Sequence, residues 1–295
     1  MLTVPKEIEG LHIVASFSGG KDSTALLVAL QAAGLPFTAV FADTGWEHPL
    51  TLEYVDYVAD KLGIVVHKVG VPGGMVARAQ TRAGFPTRMA RWCTGELKVN
   101  PIRDFTRGLR ASVGDTVGCV GVRADESAKR AGLAELDDDA DGKQGWDGYV
   151  WRPLLRWDVL DVLTVIAKAG LKVNPLYQMG LDRVGCFPCI FASKAEVQTM
   201  ASIWPERVAE IEALEAEFTA LRAERNEVKP GRYAHDRATF FQSRRPDMQP
   251  QGIRELVEWS HTARGGKQFD LFPGARGGCM SWGLCDMPAT AKAGE

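Results

Sequence analysis

Six consecutive residues, Ser18-Gly19-Gly20-Lys21-Asp22-Ser23, set two glycines among a lysine, a carboxylate and two hydroxyls. Glycine lets the backbone turn through angles closed to other residues, so successive amides can converge on one point. A helix starting there would add the positive end of its dipole, and Lys21 a point charge. The chemistry is that of a phosphate cradle. It is not a Walker loop, whose pattern is G-x-x-x-x-G-K-[ST]. The second reactive group is four cysteines, Cys186 and Cys189 in a C-x2-C pair and Cys279 and Cys285 in a C-x5-C pair. Four thiolates in two close pairs can close one metal site, and both zinc and a [4Fe-4S] cluster accept such a set. Glycines beside Cys186 and Cys279 leave amides free to bond inorganic sulfide, which favours iron and sulfur.

These groups need a scaffold. Residues 11–16 are mostly apolar and β-branched and read as a strand, and residues 24–33 read as a helix that Asp22 or Ser23 can cap. A second strand, 37–42, runs into Asp43-Thr44-Gly45-Trp46-Glu47. A helix over 49–62, a third strand over 64–69 and a fourth over 115–122 follow, the last carrying Cys119 at a buried, inert position. Strands alternating with helices predict parallel βαβ units: an α/β fold of doubly wound, Rossmann type, covered on both faces. Ligands in such sheets sit beyond the carboxyl ends of the strands, where Ser18-Gly19-Gly20 and Asp43-Thr44 both fall. Asp43 could help to hold Mg²⁺ with phosphate oxygens. Residues 70–91 read as a long loop or broken helix and 97–109 as a helix. Residues 135–148, rich in aspartate and glycine, read as a mobile surface loop. A short strand at 151–155 and a helix over 157–169 complete this part.

The loop resembles the pyrophosphatase loop of the ATP pyrophosphatase superfamily, and further segments are similar to its phosphoadenosine phosphosulfate (PAPS) reductase-like branch. These are Asp43-Thr44-Gly45-x-Glu47, Arg91-x-Cys93-Thr94-x-x-x-Lys98-x-x-Pro101, Gly121-x-Arg123-x-x-Glu126-Ser127, and Gly185-Cys186-x-x-Cys189 after Asn174-Pro175-Leu176-Tyr177. The last looks like that of cluster-bearing relatives, including those of DNA phosphorothioation and phage. The resemblance implies an adenine nucleotide α-hydrolase-like fold and ATP as ligand. It also implies a nucleotide site made by Ser16, Ser18, Gly19, Gly20, Lys21, Asp22, Ser23, Asp43, Thr44, Arg91, Lys98, Arg123 and Ser127, with Lys21, Asp22 and Arg123 in catalysis. Reductases proper carry a cysteine in a C-terminal Glu-Cys-Gly-Leu-His-like segment, or an adjacent Cys-Cys pair, and this chain has neither. An intact Ser-Gly-Gly-Lys-Asp-Ser loop belongs to members that cleave ATP to AMP and pyrophosphate. The expectation is therefore ATP-driven activation of an acceptor, coupled to sulfur insertion. The alternatives are sulfonucleotide reduction with an external thiol donor such as thioredoxin, and a nucleotide-binding subunit without turnover in a phage or defence complex.

The chain has 295 residues, 45% hydrophobic and 24% charged, enough for a substantial core in one large domain plus an extension. The expected division is a nucleotide-binding domain over 1–180 and a helical, cysteine-bearing region over 181–295. No apolar stretch spans a membrane, and the first ten residues lack the apolar core of a signal peptide, so a cytoplasmic protein is expected. Six cysteines in that compartment read as ligands or thiols rather than disulfides. Cys93 reads either as a reactive thiol or as a structural one.

Net charge is -2, yet residues 78–110 hold eight basic side chains against Glu96 and Asp104, a candidate anion surface. Further on, helices are expected over 194–200, 204–227 and 253–263. Val208, Ile211, Leu214, Phe218 and Leu221 make an apolar stripe, which could pack internally or against another copy. Arg222, Arg225, Lys229, Arg232, Arg237, Arg244 and Arg245, interleaved with Tyr233, Phe240 and Phe241, leave open a nucleic-acid partner.

Overall fold

The structure is a computed structural model and describes residues 2–139, 146–231, 233, 235–241 and 251–262. These divide into two compact units. The first comprises the described residues up to Arg82 together with Pro86–Asn174 and Gly185–Phe187. The second comprises Ala83–Phe85, Pro175–Val184 and the described residues from Pro188 onward.

The first unit opens with β1 (His12–Phe17), α1 (Lys21–Ala32), β2 (Phe37–Asp43), α2 (Pro49–Leu62), β3 (Val66–Gly70) and α3 (Gly74–Arg82). It continues with α4 (Trp92–Thr94), a π turn over Gly95–Val99, α5 (Asn100–Val113), β4 (Thr116–Val120) and α6 (Ala128–Ala131). It ends with β5 (Leu136–Asp138), β6 (Tyr149–Trp151) and α7 (Val159–Lys168). The six strands lie in the order β3-β2-β1-β4-β6-β5, and all neighbours are parallel except β5 with β6. From β1 the chain winds outward through β2 to β3, then returns to place β4 on the other side of β1. The topological switch point of the doubly wound sheet is therefore the crevice between β1 and β4.

Both faces are covered, which is why β1 and β2 read as apolar runs rather than alternating ones. On one face Ile13, Ala15 and Phe17 meet α1, with Val55 of α2 and Val162 and Ile166 of α7 in the same core. Helix α1 is buried without interruption from Ser23 to Leu30. On the other face Val14, Val40 and Val150 meet Ile102 of α5 and Trp146. A Cβ on Gly118 would stand 2.0 Å from the Trp146 ring, so the missing side chain makes room for the indole against β4.

The fold departs from sequence expectation locally. Helix α1 starts at Lys21 with Gly20 as its N-cap, so Asp22 and Ser23 lie inside its first turn and neither caps it. Strand β3 begins two residues later than expected. Gly63 (φ +63°) closes α2 in the left-handed conformation and Ile64 N donates back to Ala59 O, which keeps Ile64 in the helix terminus. Residues 136–138 form a strand instead of a mobile loop, because the acids there have partners. Asp137 meets Arg152 at 3.1 Å, and Asp139, 1% exposed, accepts from Trp146 N at 2.9 Å. Residues 140–145 of that expected loop lie outside the described residues.

The second unit contains α8 (Lys194–Ile203), α9 (Pro205–Val228) and α10 (Ile253–Ser260). The fully buried face of α9 is Val208, Ile211, Glu215, Phe218 and Arg222, while Leu214 and Leu221 are only partly covered. Phe85 packs on Phe218 and Phe240, each with ring centroids 4.9 Å apart. Glu215 accepts from Phe240 N (2.8 Å) and Ile253 N (2.9 Å). Arg222 donates to the carbonyls of Ala83 (2.7 Å), His235 (3.0 Å) and Arg237 (2.9 Å). Arg222 is thus structural and is withdrawn from the nucleic-acid face. Arg225 donates to Tyr233 and Arg237 to Glu255, while Arg232, Arg244 and Arg245 lie outside the described residues.

Candidate functional site

The Ser18–Ser23 loop emerges from β1 at the switch point and feeds α1, and the segment following β4 closes over it. Ser23 Oγ donates to Gly20 O (3.0 Å) and accepts from Ser18 N (3.1 Å), which draws the loop into a closed turn. Gly19 sits at φ +74°, and its Cβ would lie 2.9 Å from Thr51 Cγ2, so only glycine meets both the angle and the space. Its carbonyl accepts from Asn174 Nδ2 at 3.1 Å. Gly20 provides no side-chain cap, so the amides opening α1 are not claimed by a side chain at that position. Underneath, Thr24 Oγ1 donates to Gly20 O (2.9 Å) and touches Tyr54 Oη (3.2 Å), which itself donates to Lys172 O (2.9 Å). Burial pushes the Tyr54 hydroxyl up to about 12, so it stays a neutral donor.

Across the crevice, Asp22 Oδ1 accepts from Arg123 Nε at 2.5 Å, and Lys21 Nζ is 3.3 Å from Asp22 Oδ2. Arg123 Nη1 also reaches Asp125 Oδ1 and Oδ2 at 2.6 and 2.5 Å. Burial disfavours the charge on Arg123, but Asp22 and then Asp125 more than offset it and hold the pKa above the usual arginine value. Arg123 N donates to Glu126 Oε2 at 3.0 Å, which fixes the start of this segment. A Cβ on Gly121 would stand 2.7 Å from Asp22 O and 3.1 Å from Ser23 Cα. Glycine there lets the β4 exit lie directly on the loop.

Of the expected nucleotide residues, Ser18 to Ser23 and Arg123 therefore form one connected group. Ser16 sits within β1, paired between Val40 and Val120. Asp43 ends the neighbouring strand β2 and Thr44 follows it. Asp43 Oδ1 accepts from Gly45 N (2.9 Å), and its partly exposed carboxylate has the oxygen chemistry that Mg²⁺ takes. Arg91 is exposed and donates to Thr94 Oγ1 (3.3 Å), Lys98 lies on the π turn, and Ser127 caps α6 by accepting from Arg130 N (3.3 Å). The wider basic belt is largely consumed. Arg78 and Arg82 pair with Glu96, Arg107 with Asp147, and Arg110 donates to the carbonyls of Trp146 and Asp147. Beyond β3, a cavity of about 720 Å³ is lined by Lys68, Gly70, Arg78, Glu96, Asn100 and Phe105 among others.

Sequence reasoning missed Glu47, Asn174 and Tyr54 as organisers of this edge. Asn174 is fully buried, and polar character at a position that must be satisfied internally was its only signal.

Cys186 and Cys189 are half-buried and in no disulfide. Cys279 and Cys285 lie outside the described residues, and among the described residues no group of three or more His, Cys, Asp or Glu is arranged for a metal. Cys119 is wholly buried, its thiol pKa raised by desolvation, as an inert position requires. Cys93 is half-buried on α4. Among the described residues no helix is long and apolar enough to cross a membrane.

Residues 12–192 match the phosphoadenosine phosphosulfate reductase domain. A 37.8 kDa protein from the gpa 5' region of Escherichia phage 186 is 32% identical, over 88% of this chain and 90% of its own length. The adenosine 5'-phosphosulfate reductase of Streptomyces coelicolor is 30% identical over 56% of this chain and 66% of its own. A Methanocaldococcus jannaschii protein is 30% identical over 66% of this chain, which spans 39% of that protein. The phosphate complex of phosphoadenylyl-sulfate reductase from Candida auris overlays 63% of this chain and 84% of its own, at a TM-score of 0.45 and 16% identity. The matched region begins at the first residue of β1 and contains every strand of the sheet, the loop and the first cysteine pair, and so the chain belongs to the phosphoadenosine phosphosulfate reductase domain family.

Proposed function

We propose that the chain binds ATP at the crevice between β1 and β4 and cleaves it to AMP and pyrophosphate, activating an acceptor for sulfur transfer. The observation that carries this reading is the intact Ser18–Ser23 loop folded as a glycine-capped start of a twelve-residue helix at the switch point. In this reading Lys21 and the loop amides stabilise charge developing on the departing pyrophosphate. Arg123, held on two carboxylates, supplies fixed positive charge beside them and keeps Asp22 in place. Mg²⁺, held through Asp43, would neutralise and orient the phosphates. The four cysteines Cys186, Cys189, Cys279 and Cys285 would hold a [4Fe-4S] cluster, with zinc as the alternative, and a sulfur or thiol donor protein would be a partner.

Pyrophosphate release from ATP, measured with candidate DNA, RNA and small-molecule acceptors present in parallel, tests the proposal. A second reading is favoured by the likeness to adenosine 5'-phosphosulfate reductases. Sulfite release from the sulfonucleotide with a thiol donor, and no pyrophosphate from ATP, would select it. Tight nucleotide binding with neither product would leave a binding subunit without turnover.

A further inference from the structure

The turn leaving β2 is wound around one carboxylate. Glu47 Oε2 accepts from the amides of Thr44 (3.0 Å) and Trp46 (3.3 Å), and Oε1 accepts from Thr44 Oγ1 (2.6 Å). The same Oε1 stands 4.0 Å from Cys186 Sγ as its acceptor, and Cys186 Sγ is 3.8 Å from Thr44 Oγ1. Backbone reinforces the side chains. Glu47 and Cys186 form an antiparallel bridge, and Phe187 N donates to Trp46 O at 2.7 Å. The Phe187 and His48 rings meet edge to face at 4.8 Å. Glu47 and Cys186 are 139 residues apart, so no local connectivity enforces their proximity; these contacts do. A carboxylate that accepts several bonds makes stronger ones than a neutral group would.

We propose that Glu47 is a positioning residue that holds the Cys186 segment against the carboxyl end of β2, so that ligand binding at this strand end and the hold on Cys186 are linked. The choice of ATP as that ligand rests on the proposed nucleotide site. Linkage is reciprocal: a ligand that tightens the Asp43–Glu47 turn tightens the hold on residues 185–187, and loosening that hold weakens the ligand. The arrangement would keep the cysteine-bearing segment in register with the nucleotide edge, and its backbone contacts hold with Cys186 as a thiol or as a metal-bound thiolate.

The test is amide hydrogen exchange of peptides covering 44–48 and 185–187 in the full chain, with and without ATP, in wild type, Glu47→Leu and Glu47→Gln. Titration calorimetry on the same samples gives ATP affinity. In wild type, ATP should slow exchange in both peptides. Glu47→Leu should exchange about ten-fold faster at 185–187 without ATP and bind ATP about five-fold more weakly. Glu47→Gln, which keeps one acceptor oxygen, should fall between the two and remains the readout if the leucine variant does not fold. Unchanged exchange at 185–187 in a folded Glu47 variant would overturn the positioning role. ATP that binds and slows 44–48 but leaves 185–187 unaffected would overturn the linkage. If ATP does not bind wild type at all, the nucleotide proposal fails, and the ATP-free comparison still decides the role of Glu47.

Discussion

Arg123 Nε and Asp22 Oδ1, 2.5 Å apart, join the helix that follows β1 to the segment that follows β4 across the switch point of the sheet. The pair is largely buried, with side-chain exposures of 5% and 15%. It fixes the width of the crevice in which the loop lies. Replacing Arg123 with leucine should leave Asp22 in a largely covered site with Lys21 as its remaining partner and cost up to about 3 kcal/mol in urea denaturation. Asp22→Asn, which keeps an acceptor oxygen, should cost less. Equal stability of wild type and Arg123→Leu would contradict the pairing.

Gly121→Ala puts a methyl group against the backbone of Asp22 and Ser23, which cannot move without disturbing α1. A loss of about 1–3 kcal/mol, read from the thermal midpoint, is expected. Gly95→Ala meets nothing within 4 Å and serves as the control. Matching midpoints in the two variants would show that the close approach is not real.

Lys21→Ala removes a charge that sits beside Asp22 and the phosphate cradle. Stability should change by no more than about 1 kcal/mol, while ATP affinity falls by about ten-fold and pyrophosphate release falls with it. Retained pyrophosphate release would remove Lys21 from the mechanism.

Glu215 titrates abnormally because burial raises its pKa, against the lowering effect of the Phe240 and Ile253 amides and of Arg237. A carboxyl that holds its proton more tightly when folded contributes stability below the unfolded value of about 4.3. That contribution fades as pH rises from there through the raised folded value. Denaturation midpoints followed upward from pH 4 should show this decline in wild type and a flatter profile in Glu215→Gln. Parallel profiles would rule it out.

Arg222→Met should destabilise the second unit by about 2–3 kcal/mol, since the carbonyls of Ala83, His235 and Arg237 lose their shared donor. Any affinity for DNA or RNA should be unchanged at matched salt in a folded sample. A selective loss of binding would return Arg222 to a contact surface.

Strands β1 to β4, α2 and the loop were legible because periodicity and turn chemistry are local. Pro49 and Gly63 bracket α2 at the residues where the helix begins and stops. What failed depended on partners far along the chain. The acids near Asp139 read as solvent-facing until Trp146 and Arg152 are brought to them. Glu215 and Arg222 occupy the inner face of α9 at helical spacing, but a charged residue on an apolar stripe gives no sign from sequence of which carbonyls or amides will satisfy it. Glu47 stood inside a recognised segment, yet its bond to a cysteine from the far end of the sheet-bearing unit has no signature in spacing. The basic belt read as a surface because Asp147 and the Trp146 carbonyl, which engage Arg107 and Arg110, lie outside its own run, and because one acid inside it, Glu96, serves both Arg78 and Arg82.

The first unit takes its last three residues, Gly185–Phe187, after the chain has already entered the second. A gene cut or recombination joint placed anywhere from 175 to 184 would preserve every strand of the sheet and still sever the piece that latches onto Trp46 and Glu47. The smallest heritable module of this fold is therefore longer than its sheet, and the α/β portion is whole only when Gly185–Phe187 travels with it.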